Sequence, residues 1–319
     1  MANIDIKNLT KTVVGLVKTL NPRNRDIVSR RFGLKSGSKE TLESIGKSYG
    51  ITRERVRQIE EFALAQLTKA AAESRELARF AASAKELISK EGGVIKERAL
   101  FKMISGSDKD SVANASLVFA LTLEKELARL ADNDHFHAFW ARDGRTLEAF
   151  RGQVGALVSA LQSHSAVLPS AKLVSLAQDK SVAALDGSPF NEKHLATVSA
   201  ICKDLGCNIF GQMGLTHWSQ IRPKGVRDKA YLVIRQAGVP QHFSQIAKLI
   251  NVARFDTKKV NVQTVHNELI KDKRFVLVGR GMYALAEWGY KAGTVKDVLV
   301  DILKTNGKAL PRADLIAKV

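Results

Sequence analysis

The sequence predicts a mainly α-helical chain: an N-terminal helix-turn-helix head followed by tandem winged-helix units, each a set of α-helices with a small β-wing. Three observations predict this. Two short apolar-faced segments flank Gly50 in the stretch from Thr41 to Glu60. Behind the head one pattern recurs at a period of about 70 residues. Two of the recurrences carry paired strand-like runs, and a tryptophan falls at the end of each of the first three.

In the head, Leu9, Val13, Leu16, Val17 and Leu20 form the stripe of a first amphipathic helix. Asn21 caps a second helix with Pro22 at its first position, and Phe32-Gly33 ends it. Leu42 and Ile45 share a face of a short third helix, and Gly50 supplies the positive φ of a tight turn. Thr52 caps the fourth helix, in which Val56, Ile59 and Ala63 point inward, with Phe62 and Leu67 extending the stripe. Arg53, Glu54, Arg57 and Gln58 are left on the outward face near its N-terminus, the part of a recognition helix that meets base edges in the major groove. Arg suits guanine, Gln suits adenine, and Glu accepts from the cytosine amino group.

Residues 21–69 resemble region 4 of the sigma-70 family, which reads the upstream promoter hexamer. The resemblance rests on Arg23-x-Arg25-x-Ile27-Val28-x-Arg30-Arg31-Phe32-Gly33-Leu34, on Thr41-Leu42-Glu43-x-Ile45-Gly46, and on the run from Ile51 through Thr52, Arg53, Glu54, Arg55, Val56, Arg57, Gln58 and Ile59 to Glu60. It implies that Arg53, Glu54 and Gln58 contact bases and that Arg57, beside them, reaches a base or a phosphate. Arg23, Arg31, Thr41, Leu42 and Arg55 are expected along the DNA backbone. It also implies contact with bacterial RNA polymerase, at the flap of the beta subunit, through the head's apolar surface. Nothing in the chain resembles the aromatic-rich, promoter-melting region 2, and only 6% of the residues are aromatic. Duplex reading without promoter opening is therefore expected.

Behind the head, the segments Ala84–Ile104, Gly155–Ala177, Lys229–Ile250 and Lys296–Val319 share one pattern: an apolar helix, a Gly or Ser turn, one or two apolar residues, then a second helix. Trp140, Trp218 and Trp288 fall at the ends of the first three units, as core residues packed on the helices. Strand-like runs flank the turns Asp132-Asn133-Asp134 and Gly279-Arg280-Gly281. The expected boundaries are 1–70 for the head, 71–145 and 146–221 for two degenerate winged helices, 222–291 for a third, and 292–319 for an incomplete unit that exposes Leu299, Ile302, Leu303, Leu315 and Ile316 unless they pack on the unit before.

Residues 222–291 contain Arg227-Asp228-Lys229-Ala230-Tyr231, His242-Phe243-x-x-Ile246-Ala247, the run from Val260 to Ile270, and the run from Phe275 to Leu285. They resemble a HARE-HTH domain, the winged-helix family that includes the N-terminal domain of the RNA polymerase delta subunit. In this unit Asn261 caps the recognition-position helix, and Val262, Val265 and Leu269 point inward. Gln263, His266, Asn267 and Lys271 are left on the outer face, flanked by Lys258, Lys259, Lys273 and Arg274. Arg280, between two glycines at the wing tip, is placed to meet a phosphate or a minor groove. This second surface is expected to meet either nucleic acid or a protein partner.

The net charge of +18 is unevenly distributed. Residues 1–70 hold 14 basic and 7 acidic side chains, residues 71–221 hold 17 of each, and residues 222–319 hold 19 and 8. Two basic ends around a neutral middle suit two polyanion-binding modules. Cys202 and Cys207 give no disulfide framework and, without further ligands, a poor zinc site. No phosphate-loop, metal-helix or signal-peptide pattern is present, and no apolar run is long enough to span a membrane. The expectation is a cytoplasmic, nucleoid-associated transcription regulator, not an enzyme, with no cofactor, metal, membrane or small-molecule substrate. Its expected partners are double-stranded DNA and bacterial RNA polymerase. Two alternatives stay open: a polymerase-binding protein that competes with sigma factors, and a non-specific nucleoid DNA binder.

Overall fold

The computed structural model describes residues 5–290 and 295–317, and is mainly helical with small antiparallel sheets. The head holds α1 (Ile6–Val17), α2 (Pro22–Phe32), α3 (Leu42–Tyr49) and α4 (Arg53–Ala72). Then one order, helix–strand–helix–helix–strand–strand, occurs three times. Its first copy is α5 (Arg75–Lys90), β1 (Val94–Lys96), α6 (Glu97–Ser105), α7 (Val112–Thr122), β2 (Ala128–Leu130) and β3 (Phe139–Ala141). The second is α8 (Gly144–His164), β4 (Leu168–Pro169), α9 (Ser170–Asp179), α10 (Glu192–Ile201), β5 (Leu205–Cys207) and β6 (Gln212–Leu215). The third is α11 (Val226–Ala237), β7 (Gln241–His242), α12 (Phe243–Ala253), α13 (Val262–Lys271), β8 (Phe275–Gly279) and β9 (Met282–Leu285). After a short 3-10 turn come α14 (Val295–Asn306) and α15 (Arg312–Ala317).

In every copy the sheet order is first–third–second strand, all antiparallel. The hairpins of the first and third copies were expected from the sequence; the hairpin of the second copy and the first strand of each sheet were not. These strands are only two or three residues long, too short for alternation to show.

The chain divides into two compact units, residues 1–163 with 171–204, and residues 164–170 with 205–319. In the first, a single core runs through the head and the first copy of the repeat. Leu9, Val13, Val17 and Leu20 of the α1 region, Ala63, Leu67 and Ala71 of α4, and Leu77, Phe80 and Ala84 of α5 all enter it. At its centre lies α7, in which residues 114–121 are all buried. An apolar surface on every side suits a helix enclosed by others, and α1, α2, α5 and α6 all pack on it. Phe119 meets Phe32 of α2 edge-on, ring centroids 5.0 Å apart. Trp140, opposite Ile95 and Arg129 in the sheet, is buried and donates its Nε1–H to Glu97 Oε2 at 3.0 Å.

In the second unit the β4-β6-β5 sheet carries a turn organised by Asn208, whose Oδ1 accepts from the Phe210 and Gln212 backbone N–H groups. The helices α11, α12 and α13 close over β9 on a core of Ala230, Ile234, Ile246, Ile250, Val265, Leu269 and Leu285. Trp218 and Trp288 each stand three residues past the last strand of their copies and are half-buried. Trp140 instead lies inside β3, so the three tryptophans do not hold one repeat position as expected. Of the apolar residues expected at the surface of the last segment, Leu303 is exposed and Leu299, Ile302 and Leu315 are half-buried; the Ile316 side chain lies outside the described residues. Among the described residues no helix is long and apolar enough to cross a membrane.

Candidate nucleic-acid interface

The helix-turn-helix is assembled by local signals. Asn21, Thr41 and Thr52 cap α2, α3 and α4, accepting from Asn24, Ser44 and Arg55 N–H at 2.8, 3.1 and 3.2 Å. Gly50 closes α3 at φ 64°, in the left-handed region that costs a glycine least. Gly46 is required for a different reason: a Cβ there would stand 2.7 Å from the Ile51 carbonyl oxygen, so the turn passes against bare backbone. Ile27, Ile45 and Val56 lock the three helices together, with Leu42, Tyr49, Ile51 and Ile59 around them.

A polar frame reinforces this small core. Arg30 grips both oxygens of Glu40 (2.9 and 2.7 Å) and reaches Ser48 Oγ. Asp26 accepts from Lys35 Nζ and from the Tyr49 hydroxyl, each at 2.9 Å. Arg31 joins α2 to Glu60 of α4 (3.3 Å) and to the Glu40 carbonyl (3.1 Å). The Lys35 hydrogen bond holds the Asp26 carboxyl below its ordinary range, and the Arg30 hydrogen bond does the same for Glu40. Burial pushes Glu60 up, against the pull of Arg31. These partners are separated by 9 to 29 residues and carry no periodic signature, so sequence reading had no means of pairing them.

The four base-reading candidates all lie exposed on the first two turns of α4. Arg57 chelates Glu54 (2.6 Å at its shortest) and also pairs with Glu61, while Arg55 donates to Gln58 Oε1 at 3.0 Å. Arg53 is exposed beside them. Hydrogen bonding to Arg57 lowers the Glu54 pKa, so this carboxylate stays charged in the free head. Of the backbone candidates, Arg23 is exposed with its guanidinium 5.6 Å from the Tyr49 ring centroid. Thr41 and Arg55 are exposed, and Leu42 is half-buried on the small core. Arg31 is half-buried and engaged within the head.

Phe62 departs from expectation: it is 65% exposed. It lies one position before the buried Ala63, hence about 100° round the helix from the inward face. The cleft beside it is lined by Asn21, Arg23, Arg55, Gln58 and Ile59.

On the third copy, Asn261 caps α13 as expected, accepting from Gln263 N–H at 2.8 Å. Gln263 and Asn267 are exposed and bond to each other (3.2 Å); Lys271, exposed, stands 3.8 Å from Glu268. His266 is stacked on Phe243 at 4.4 Å and meets Tyr283 edge-on, so part of its surface is spent on packing. Arg280 is exposed in the β8–β9 turn, beside Gly281 at φ 68°. Val262, expected inward with Val265 and Leu269, is 39% exposed; as the first residue of α13 it lies a full turn before Val265, where the core ends. Arg274 does not stand free beside the helix with Lys258, Lys259 and Lys273. It bridges Asp272 (2.7 Å) and Asp228 (3.0 Å) under the Tyr231 ring and serves the fold.

Cys202 is buried, Cys207 is exposed, and no cluster of His, Cys, Asp and Glu suited to a metal occurs among the described residues.

Residues 16–69 match the family model of Sigma-70, region 4. Over 62 residues the chain is 48% identical to the RNA polymerase sigma factor SigA1 of Synechococcus elongatus, covering 19% of this chain and 16% of that protein. It is 46% identical over 56 residues to the RNA polymerase principal sigma factor HrdD of Streptomyces coelicolor, covering 18% and 17%. It is 44% identical over 59 residues to SigA of Clostridium acetobutylicum, covering 18% and 16%. The chain thus spans about a sixth of the length of these curated relatives. The region 4 module begins in α1 and ends within α4, so it takes in the whole helix-turn-helix and its small core.

Proposed function

We propose that the protein is a bacterial transcription regulator whose head reads a promoter-like hexamer in double-stranded DNA. The observation that carries this reading is the exposed N-terminal end of α4, bearing Arg53, Glu54, Arg57 and Gln58 on a capped frame that matches region 4 along its whole length. In the major groove Glu54 accepts from a cytosine amino group, Gln58 pairs with adenine, and Arg53 donates to a guanine edge. Arg57, already held by Glu54, meets a base or a phosphate while fixing the Glu54 rotamer. Arg23, Thr41, Leu42 and Arg55 lie along the sugar-phosphate backbone and set register. Arg31 supports that surface by tying α2 to α4.

The third copy supplies a second, basic surface through Gln263, His266, Asn267, Lys271 and Arg280. Its likeness to the HARE-HTH winged helices favours association with RNA polymerase. The head's own apolar surface is the less suitable place for the beta flap, because α5 and α7 already pack on it.

Competition binding with the full-length chain at one near-physiological salt concentration tests the reading. A duplex with a sigma-type upstream hexamer should compete at least tenfold better than a scrambled duplex. Glu54→Ala should alter preference at one base pair by roughly 5- to 150-fold, whereas Arg23→Ala should weaken all duplexes alike. Equal competition by matched and scrambled duplexes would sink the sequence-reading assignment.

A further inference from the structure

One stripe of α4 turns from the reading face toward the start of α2, and it carries Arg55, Gln58 and Phe62. At about 100° per residue, Phe62 falls about 20° from Arg55 and about 40° from Gln58 round the helix, and about 6 Å further along it than Gln58. It therefore continues a line that begins with a backbone contact and a base reader. Its ring is 65% exposed and has no aromatic partner among the described residues.

The groove that Phe62 borders carries one sign of charge. Arg23 and Arg55 line it, no carboxylate among the described residues does, and neither arginine has an ion pair there. Arg23 rests against the Tyr49 ring and Arg55 donates to Gln58 Oε1, so both guanidiniums are held at the surface with donors to spare. The acids just before Phe62 in the chain turn elsewhere: Glu60 is drawn to Arg31 and Glu61 to Arg57. A basic, acid-free wall beside an exposed apolar ring suits a partner that is anionic at its rim and apolar just behind it. A duplex strand has this make-up, with phosphates along the rim and, where the base is thymine, a methyl group facing the major groove.

We propose that Phe62 is a further specificity residue and reads a thymine. Its ring packs on the 5-methyl group of a thymine about one or two base pairs from the pair met by Gln58, while Arg23 and Arg55 hold the phosphates of that strand. The assignment rests on the major-groove reading proposed above for α4. It adds an apolar contact to a set of readers, Arg53, Glu54, Arg57 and Gln58, that work through hydrogen bonds. Cytosine carries hydrogen where thymine carries the methyl group, so the contact favours thymine. An acidic protein surface matches less well, because it would draw Arg55 and Gln58 of the same stripe away from the duplex.

The test is competition binding of the full-length chain to the sigma-type hexamer duplex and its flanks. Deoxyuridine replaces each thymine in turn, which removes one methyl group and leaves the hydrogen-bonding edges as they were. At one position the wild type should lose roughly 3- to 10-fold in affinity, the worth of one buried methyl group. Phe62→Ala should keep the wild-type Tm, since the ring is exposed. It should bind the all-thymine duplex more weakly by that same factor and be indifferent to deoxyuridine at that position, and Phe62→Leu should retain part of the sensitivity. If matched duplex still outcompetes scrambled but Phe62→Ala abolishes no deoxyuridine loss, this proposal is overturned and hexamer reading stands. Equal competition by matched and scrambled duplexes removes both. A uniform loss by Phe62→Ala on every duplex would overturn it by assigning the ring to the deoxyribose alone, and no loss on any duplex would overturn it by assigning the ring to a protein partner.

Discussion

Replacing Phe119 by Ala tests whether the head and the first copy of the repeat fold as one body. Phe119 is fully buried in α7, and its ring meets Phe32 at the end of α2, in the turn after Arg30 and Arg31. Phe-to-Ala changes in cores cost about 3–5 kcal/mol, of which roughly 0.5–1.5 kcal/mol is specific to an edge-to-face pair. Against a domain stability of about 5–15 kcal/mol that is a large share. Denaturant unfolding followed by far-ultraviolet circular dichroism should show the transition of the first unit moved to lower denaturant by that amount. Duplex binding by the surviving folded fraction should keep its ratio of matched to scrambled sequence, because Arg53, Glu54, Arg57 and Gln58 are exposed and lie outside this core. A loss below about 1 kcal/mol, or a head that unfolds separately and at its unaltered midpoint, would refute the shared core and make residue 70 a true domain boundary.

Four other perturbations follow from the geometry. Gly46→Ala drives a Cβ to 2.7 Å from the Ile51 carbonyl oxygen, so it should cost about 1–3 kcal/mol and weaken matched-duplex binding. Gly50→Ala meets open space and only the strain of φ 64°, about 1 kcal/mol; equal effects in thermal melts would contradict the close turn. Glu97→Gln removes the charge that holds Arg129 and loosens Trp140, and should lower stability by on the order of 3 kcal/mol with a change in tryptophan emission; unchanged melting would show that the network contributes nothing. Acid should act in two stages. Asp26 and Glu40 have lowered folded pKa values, so their stabilisation is complete above the unfolded carboxylate range and is lost as pH falls through the depressed values. Glu60 is raised by burial, so its charged form is unfavourable at neutral pH and protonation relieves it. Melting temperature of the head should therefore hold or rise slightly on first acidification and fall below about pH 4; a steady fall from neutrality would contradict the assignments.

Much of the head was legible because helix boundaries are set by short-range chemistry. Asn21, Thr52 and Asn261 cap the helices they were expected to cap, and Gly33 and Gly50 end theirs in the left-handed region. Each depends on groups within four residues, and that information is present in the linear chain. The recurring helix–helix–hairpin pattern was visible for a similar reason: an apolar stripe of three or four turns outweighs local noise.

Tertiary structure decided the rest. Strands of two or three residues exist only because a hairpin offers them a partner. Phe62 and Val262 satisfy the spacing loosely, yet one lies about 100° from the packed face and the other lies beyond the core. The ties from Arg31 to Glu60 and from Arg30 to Glu40 depend on how α2, the loop before α3, and α4 come together. The decisive case is α7. Its residues from Ala115 to Leu121 are almost all apolar, so the sequence marks no single face for packing. Burial on every side by α1, α2, α5 and α6 makes it the centre of a shared core instead. Amino-acid order alone fixes which face of a helix is apolar, but which neighbour covers that face is set only when segments far apart in the chain compete to exclude water from it.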